Sequence, residues 1–261
     1  MISTWRIALR TLLLSLHILL GLILTPLVLS RHPGGVLRTH PRIESWWHNR
    51  VADILGVRIT VAGYRPQAPA FLVANHISWL DVIVLGALTP TDFLSKYEVR
   101  RWPLIGWLAA RAGTLFIRRG NGEAAQITEQ ISKRLRDNGM LTVFPEGTTT
   151  DGTLVRPFFS RLFAAPIDTR TDVVPVAVRY HINGHHDPVA PYTDDQSLGE
   201  NLRGLITRAK TEVMVIFGEP ITLSGHSRKQ VADEARNAII MALHSHEQTP
   251  LGERVPAPAA G

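Results

Sequence analysis

Residues 70–81 read AFLVANHISWLD. The apolar run predicts a buried strand over 70–74, and the residues after it predict a helix that begins near Ser78. His76 then lies in the turn that joins the strand to the helix. Because α/β proteins place reactive groups where strands end, this turn is a candidate functional site.

The carboxylate of Asp81 is expected to point back towards His76. Ser78 and Asp81 have the S-x-x-D spacing of a capping box, which places Asp81 in the first turn of the helix. A carboxylate on one imidazole nitrogen fixes the tautomer and stabilises the imidazolium that forms when the other nitrogen takes a proton. The alternative is a histidine that only caps the helix, with an aspartate that interacts only with the helix dipole.

The rest of the chain alternates between short β-branched runs and helical patterns. This alternation predicts an α/β protein in which helices cover a central sheet. The predicted strands are 58–62, 70–74, 114–117, 140–144, 173–179 and 212–217. The predicted helices are 79–88, 102–112, 123–138, 198–209 and 228–246.

The N-terminal part of the chain contains 20 residues without a formal charge, 11–30, which read TLLLSLHILLGLILTPLVLS. About 20 apolar residues cross a bilayer as a helix. Pro26 and the amphipathic stretch 43–55 fit equally well with two helices that enter one leaflet. We therefore predict membrane-anchoring helices in 1–56, a catalytic domain in 57–247 and a disordered, Pro- and Ala-rich tail in 248–261.

The chain has 261 residues and a formal net charge of +6, which indicates attraction to an anionic surface or ligand. Arginines flank the apolar segment on both sides, so the basic excess follows a membrane surface and not nucleic acid. Cysteine is absent, which excludes disulfides, thiolate metal ligands and a cysteine nucleophile.

Two further segments place charged residues at predicted strand ends. Residues 113–120 read GTLFIRRG, and only one of Arg118 and Arg119 should share the strand face of Phe116. Residues 141–152 read LTVFPEGTTTDG, in which Gly147 follows the carboxylate of Glu146 and allows backbone N–H groups to approach a ligand closely. Taken singly, the first segment favours a solvated strand end over a binding site, and the second does not favour a binding site over an ordinary β-turn.

Taken together and in this order, the segments resemble the signature blocks of the PlsC-like glycerolipid acyltransferase family, which includes 1-acylglycerol-3-phosphate O-acyltransferases. The resemblance extends over about residues 54–220. The block N-H-x-x-x-x-D is met by Asn75, His76 and Asp81, and the block G-x-x-F-I-x-R is met by Gly113, Phe116, Ile117 and Arg119. Residues 144–148 read F-P-E-G-T, and residues 173–176 form the apolar run around a proline.

The resemblance implies a mixed central sheet flanked by helices and a mechanism in which His76, oriented by Asp81, is the catalytic base. The donor would be acyl-CoA or acyl-carrier protein, without a metal or cofactor, and the enzyme would face the cytoplasm from the inner membrane. An oxyanion would form at the thioester carbonyl, with donors near Gly147 to stabilise it. The implied substrate-binding residues are Asn75, Arg119, Glu146, Gly147 and Thr148, with further headgroup contacts from Arg118, Thr149 and Arg156.

The family first implies 1-acylglycerol-3-phosphate as the acceptor and phosphatidic acid as the product. However, many lysophosphatidate enzymes have arginine where this chain has Thr149, and F-P-E-G-T-T-x-D-G resembles the lyso-ornithine lipid acyltransferase branch. Lyso-ornithine lipid is therefore the alternative acceptor. Two other hypotheses are a zinc site formed by His181, His185 and His186, and a membrane-anchored lipid-binding protein without turnover.

Overall fold

The computed structural model describes residues 4–31, 37–118, 124–193 and 196–247. Its helices are α1 (Thr4–Val28), α2 (Pro41–Leu55), α3 (Leu80–Leu88), α4 (Tyr97–Arg100), α5 (Ile105–Arg111), α6 (Ala124–Arg136), α7 (Ala164–Thr169), α8 (Leu198–Thr207) and α9 (Arg228–Glu247), with a 3₁₀ turn over Ser160–Phe163. Its strands are β1 (Ser30–Arg31), β2 (Leu37–Arg38), β3 (Val57–Ala62), β4 (Ala70–Ala74), β5 (Asp92–Lys96), β6 (Leu115–Ile117), β7 (Met140–Val143), β8 (Val173–Ile182), β9 (His185–His186) and β10 (Thr211–Phe217).

The main sheet has the strand order β3-β10-β8-β4-β7-β5-β6, with β9 paired to β8. Strands β8, β4, β7, β5 and β6 run parallel to one another, whereas β10 and β3 run in the opposite direction. The predicted mixed sheet flanked by helices is therefore confirmed. Every residue of β4 is buried, as expected for a parallel strand that has helices on both sides.

The alternation of side chains along β4 divides the hydrophobic core into two layers. Leu72 packs with α2 and α3 on one face of the sheet, where Leu55 and Leu80 are also buried. Phe71 and Val73 point to the other face and pack with α6 and α9. Since the strand is buried on both faces, its C-terminal end is held rigidly where His76 follows it.

The five predicted helices and six predicted strands are present, with ends that shift by up to three residues. Strand β5 was missed because DFLSK has charged residues at both ends and only two large apolar residues between them. Its Asp92 is nevertheless buried, where it forms an ion pair with Arg134 of α6. The predicted tail, 248–261, lies outside the described residues.

Helix α1 packs along the protein through one face and leaves the other face open. The ring of His17 stacks on Trp47 of α2 at 3.7 Å between centroids, and a Cβ added at Gly21 would come within 2.3 Å of the same indole. Near its start, the Arg10 guanidinium donates to the carbonyls of Arg208 and Ala209, just after α8. The open face carries exposed Leu9, Leu12, Leu13, Leu16, Leu19, Leu20, Ile23, Leu24 and Leu27. Among the described residues, α1 is the one helix long and apolar enough to cross a membrane.

Helix α2 contributes the half-buried His48 to its interface with α3, with the Nδ1 atom of the ring buried. A Cβ at Gly86 would lie 2.3 Å from Nδ1 of His48, and the His48 ring meets Phe93 edge-on. Burial lowers the pKa of His48 to about 4. The unfolded chain therefore takes up a proton below pH about 6.5, while the folded protein stays neutral until about pH 4.

We expect His48→Phe to reduce the acid sensitivity of folding. Between pH 7 and 5 the wild type should lose about 2 kcal/mol of unfolding free energy through this one group. Above about pH 7.5, no loss from His48 is expected, because the imidazole is neutral in both states. Denaturant unfolding in detergent at the two pH values measures the difference between wild type and variant. His244→Gln, at an exposed position of α9, is the control and should leave the acid loss unchanged. An equal acid loss in wild type and His48→Phe would contradict the assignment.

Candidate active site

The parallel strands β4, β7, β5 and β6 all end at the same edge of the sheet, and this brings distant segments together. Val73 of β4 pairs with Val143 of β7, so the turn that holds His76 lies next to the turn that holds Glu146. Arg118 follows β6 at the same edge, two strands beyond β7. The candidate site is formed by these strand ends.

His76 and Asp81 form the hydrogen-bonded pair that the spacing predicted. Nδ1 of His76 lies 2.8 Å from Oδ2 of Asp81. A carboxylate oxygen only accepts, so Nδ1 carries the proton and Nε2 is the acceptor of the neutral imidazole. The Asp81 side chain is fully buried, while that of His76 is 20% exposed. Nε2 can therefore serve a substrate hydroxyl, although this catalytic role stays a prediction.

The capping arrangement at the start of α3 is only half of the predicted box. Oδ2 of Asp81 accepts from the backbone N–H groups of Ile77 and Ser78, at 2.8 and 3.0 Å. The reciprocal bond, from the Asp81 N–H to the Ser78 hydroxyl, is missing: the Asp81 N–H donates to the Ser78 carbonyl instead, and the buried hydroxyl has no partner among the described residues. Asp81 therefore holds the turn itself, and it does so with the same oxygen that orients His76.

The imidazole of His76 is further held by stacking. Its ring lies against that of Phe144, with centroids 4.0 Å apart and planes inclined by 16°. Phe144 in turn stacks on Phe93 of β5. Phe144 is the first residue of F-P-E-G-T and follows β7 directly, so this block also restricts the ring of the proposed base.

Glu146 has surroundings different from those expected of a headgroup ligand. Its two carboxylate oxygens accept from the backbone N–H groups of His76 and Arg156, both at 2.7 Å. The residue is only 4% exposed. Burial raises the pKa of Glu146, although the hydrogen bonds from the two backbone N–H groups act to lower it. The carboxylate therefore connects the His76 turn to the loop after β7, while a headgroup contact from Glu146 stays a prediction.

Asn75 also faces the protein and not an open site. Its amide nitrogen donates to the carbonyl of Val178 at 2.9 Å, and its oxygen accepts from the N–H of Val178 at 2.8 Å. The residue is 2% exposed. Asn75 therefore holds the end of β4 against β8, and its expected contact with substrate stays a prediction.

Two backbone N–H groups of the turn after Glu146 are bonded within the protein, and oxyanion stabilisation by donors near Gly147 stays a prediction. The Gly147 N–H donates to the Phe144 carbonyl at 3.0 Å within the turn, and Gly147 has φ +70°, which favours glycine. Thr148 is half-buried beside it. The hydroxyl of Thr149 donates to the carbonyl of Tyr192, and the N–H of Thr150 donates to the carbonyl of His76 at 2.9 Å.

The predicted arginines fall at the β6 end of the edge. Arg119 lies outside the described residues, whereas Arg118 is exposed with its guanidinium 3.8 Å from the centroid of the Tyr97 ring. Arg100 stacks on Phe116, and the two guanidinium groups line one cavity of about 260 Å³. This cavity is suited to an anionic group. The Arg156 side chain is exposed on the other side of Glu146.

Tyr180, which no sequence pattern indicated, completes the hydrogen bonding of Asp81. Its hydroxyl donates to Oδ1 of Asp81 at 2.7 Å, although 99 residues separate the two. Burial and the neighbouring carboxylate raise the pKa of Tyr180 well above its ordinary value, so the hydroxyl remains a donor. Only the pairing of β4 with β8 brings this residue to the site.

The histidine cluster proposed as a zinc site forms a β-hairpin instead. His181 and His186 are cross-strand partners in β8 and β9, and His185 pairs with Ile182. Because side chains alternate along a strand, His185 points to the opposite face of the hairpin. Within the described residues, no group of three or more His, Cys, Asp or Glu side chains could hold a metal ion.

Comparison with known proteins shows the family of this chain. The family model described as Acyltransferase matches residues 57–179, which include both turns. A lyso-ornithine lipid O-acyltransferase of Pseudomonas aeruginosa is 41% identical over 82% of this chain and 83% of its own length. The chain belongs to the PlsC-type acyltransferase family. As a member of this family it is an acyltransferase that acts on lysolipids, which excludes the hypothesis of a lipid-binding protein without turnover.

Two further relatives define the range of the family around this acyltransferase. A 1-acyl-sn-glycerol-3-phosphate acyltransferase of Neisseria meningitidis is 30% identical over 70% of this chain and 73% of its own length. The crystal structure of the 1-acyl-sn-glycerophosphate acyltransferase PlsC of Thermotoga maritima has a TM-score of 0.62, with 18% identity over 80% of each chain. The structural match supports the fold, and the relatives' names indicate two different acceptors.

Proposed function

We propose that this acyltransferase moves the acyl group of acyl-CoA or acyl-carrier protein onto the free hydroxyl of lyso-ornithine lipid, with His76 as the general base. The observation that carries the proposal is the buried Asp81 carboxylate bonded to Nδ1 of His76, which leaves Nε2 as a proton acceptor at a partly exposed position.

In the proposed reaction the acceptor oxygen attacks the thioester carbonyl carbon while its proton passes to Nε2 of His76. The imidazolium is stabilised by Asp81, whose negative charge lies at the other ring nitrogen. When the tetrahedral intermediate collapses, the C–S bond breaks and the proton returns from His76 to the leaving thiolate. The products are the ester and the free thiol, so neither a metal nor a cofactor is required.

The proposed acceptor differs from the one that the family resemblance implies first. The relative named lyso-ornithine lipid O-acyltransferase shares more identity and more of its length with this chain than the lysophosphatidate relative does. Thr149 is uncharged, so this position provides no cation for a phosphate. Its hydroxyl donates to a backbone carbonyl. A phosphate monoester carries about −1.5 to −2 charges, whereas the ornithine headgroup combines one carboxylate with one ammonium.

Purified wild type assayed with both lysolipids and both thioesters tests this proposal. We expect the ester of lyso-ornithine lipid as the main product, with a kcat/KM at least tenfold above that for 1-acylglycerol-3-phosphate. Mass spectrometry of the products identifies the ester. A clear preference for 1-acylglycerol-3-phosphate would restore it as the acceptor without affecting the proposed chemistry.

We expect Thr149→Arg to shift acceptor preference towards 1-acylglycerol-3-phosphate. A guanidinium that reaches the phosphate would add a charge-assisted bond, which corresponds to roughly tenfold in relative kcat/KM. The measurement is the ratio of kcat/KM for the two acceptors in one variant. Thr149→Gln is the matched control, because it also removes the hydroxyl bonded to Tyr192 and has a long side chain without charge. An equal ratio in both variants would show that charge at this position does not select the acceptor.

We also propose that the enzyme lies on the cytoplasmic face of the inner membrane, with the open leucine face of α1 in lipid. Thioester donors are cytosolic, so the catalytic domain must face that side. Helix α2 packs against α1 and carries exposed Arg50 and Asp53, which the bilayer core does not accept. This favours a helix pair that enters one leaflet.

Since the chain lacks cysteine, Ser30→Cys can be probed with an impermeant thiol reagent, and labelling from the periplasm would instead indicate a span.

A further inference from the structure

Asp81 is bonded through both of its oxygens, and the two sets of bonds have different functions. Oδ2 accepts from His76 and from two backbone N–H groups of the turn. Among the described residues, Oδ1 accepts one hydrogen bond, which comes from the hydroxyl of Tyr180. Asp81 is completely buried and Tyr180 is 2% exposed, so water does not readily replace this donor.

We propose that Tyr180 is a positioning residue of the catalytic pair: its hydroxyl holds Asp81 so that Oδ2 faces Nδ1 of His76. This inference rests on the proposed role of His76 as the base. Tyr180 does not touch the reacting atoms. It acts through the carboxylate, which rotates about its terminal bond unless the second oxygen is also held.

The placement of Tyr180 is fixed by the same strand contacts that hold the His76 turn. Asn75 exchanges two hydrogen bonds with Val178, and this sets the register between the residue before His76 and strand β8. Tyr180 lies two residues beyond Val178, so both side chains point to the same face of the sheet. The burial that raises the pKa of Tyr180 also keeps its hydroxyl protonated at the pH values at which the enzyme works.

Removal of this donor should change proton transfer more than substrate binding. A buried carboxylate that loses a hydrogen bond holds its negative charge less well, so the His76–Asp81 pair takes up a proton more readily. The active form, in which Nε2 is unprotonated, then declines at a higher pH than in the wild type. The carboxylate also becomes less well oriented, which lowers turnover at neutral pH.

The test compares wild type, Tyr180→Phe and His76→Ala in detergent micelles, with kcat and both KM values measured from pH 5 to 9. We expect Tyr180→Phe to lower kcat about tenfold, as for loss of one hydrogen bond to a charged group. The acid limb of its pH–rate profile should move upward by about half a unit or more. The KM values for donor and acceptor should stay within about twofold, because Tyr180 does not contact either substrate.

A control distinguishes this role from a purely structural one. Thr91→Val removes another buried hydroxyl, which forms no bond with Asp81. Its oxygen lies 2.8 Å from the hydroxyl oxygen of Thr142. It should lower thermal stability without moving the pH–rate profile. If Tyr180→Phe does not fold, 3-fluorotyrosine at position 180 provides a stronger donor of nearly the same size. It should move the acid limb of the pH–rate profile to lower pH.

The outcomes separate this inference from the proposed function. If His76→Ala is inactive while Tyr180→Phe has the kcat and acid limb of the wild type, the positioning role is wrong and the His76 mechanism stands. The positioning role is equally wrong if fluorotyrosine leaves the limb unmoved, or if Thr91→Val shifts it by the same amount. If His76→Ala retains full turnover, the proposed base fails and the role of Tyr180 fails with it.

Discussion

Replacement of His76 by alanine should lower kcat about 10²- to 10⁴-fold, the range expected when a general base is removed. The reason is geometric, because Nε2 is the acceptor that Asp81 keeps unprotonated through its bond to Nδ1. KM for either substrate should change little, since the role assigned to the imidazole is proton transfer and not binding. Product formation from lyso-ornithine lipid, followed by mass spectrometry, gives the rates.

A second histidine variant makes this loss specific. His185→Ala changes an exposed imidazole on the β8–β9 hairpin and should retain the turnover of the wild type. It also tests the zinc hypothesis, because a metal held by the hairpin histidines would make His185 essential. Circular dichroism of both variants must match that of the wild type. Turnover in His76→Ala within about threefold of the wild type would exclude His76 as the base.

The local part of this site could be predicted from the sequence. The strand over Ala70–Ala74 is a continuous apolar run, and Asp81 follows His76 at a spacing that returns its carboxylate within one helical turn. Such contacts depend only on backbone geometry over a few residues. For the same reason, the longer helices and strands were predicted in their order along the chain, whereas β5 and the short elements were not.

The remaining contacts depend on which strands become neighbours, and periodicity contains no information about that. Glu146 reaches the His76 N–H across 70 residues, and Tyr180 reaches Asp81 across 99. A family motif identifies Glu146 as important, but it does not reveal whether the carboxylate faces substrate or backbone. Burial distinguishes the two, and at 4% exposure Glu146 faces the backbone.

Asn75 shows the same limit, because a motif gives the place of a residue in the chain but not the groups that its side chain contacts. It precedes His76 directly, which suggests a place among the reacting groups, yet its amide nitrogen and its oxygen each bond the backbone of Val178. The first family block thus combines two kinds of residue. His76 is the proposed base, whereas Asn75 fixes the register of β4 against β8. Since β8 also supplies Tyr180, the register set by Asn75 determines whether Asp81 is fully bonded.

Substitution of Asp81 by asparagine should lower kcat by roughly 10³- to 10⁴-fold while the fold persists. The amide oxygen of asparagine can still accept from Ile77 and Ser78, so the turn is preserved. The imidazolium, however, loses its counter-charge, and an amide N–H turned towards Nδ1 would force the proton onto Nε2. The first effect weakens His76 as a base, and the second removes the proton acceptor at Nε2. The measurement is kcat at saturating concentrations of both substrates.

Two comparisons decide whether this loss reflects the pair. Asp233→Asn changes an exposed aspartate of α9, whose carboxylate lies 3.8 Å from the Lys229 ammonium, and it should retain turnover. The double variant His76→Ala with Asp81→Asn should be no slower than His76→Ala alone, because residues that act as a unit have non-additive effects. If the two losses multiply instead, Asp81 contributes independently of His76, and the hydrogen bond between them is not the basis of catalysis.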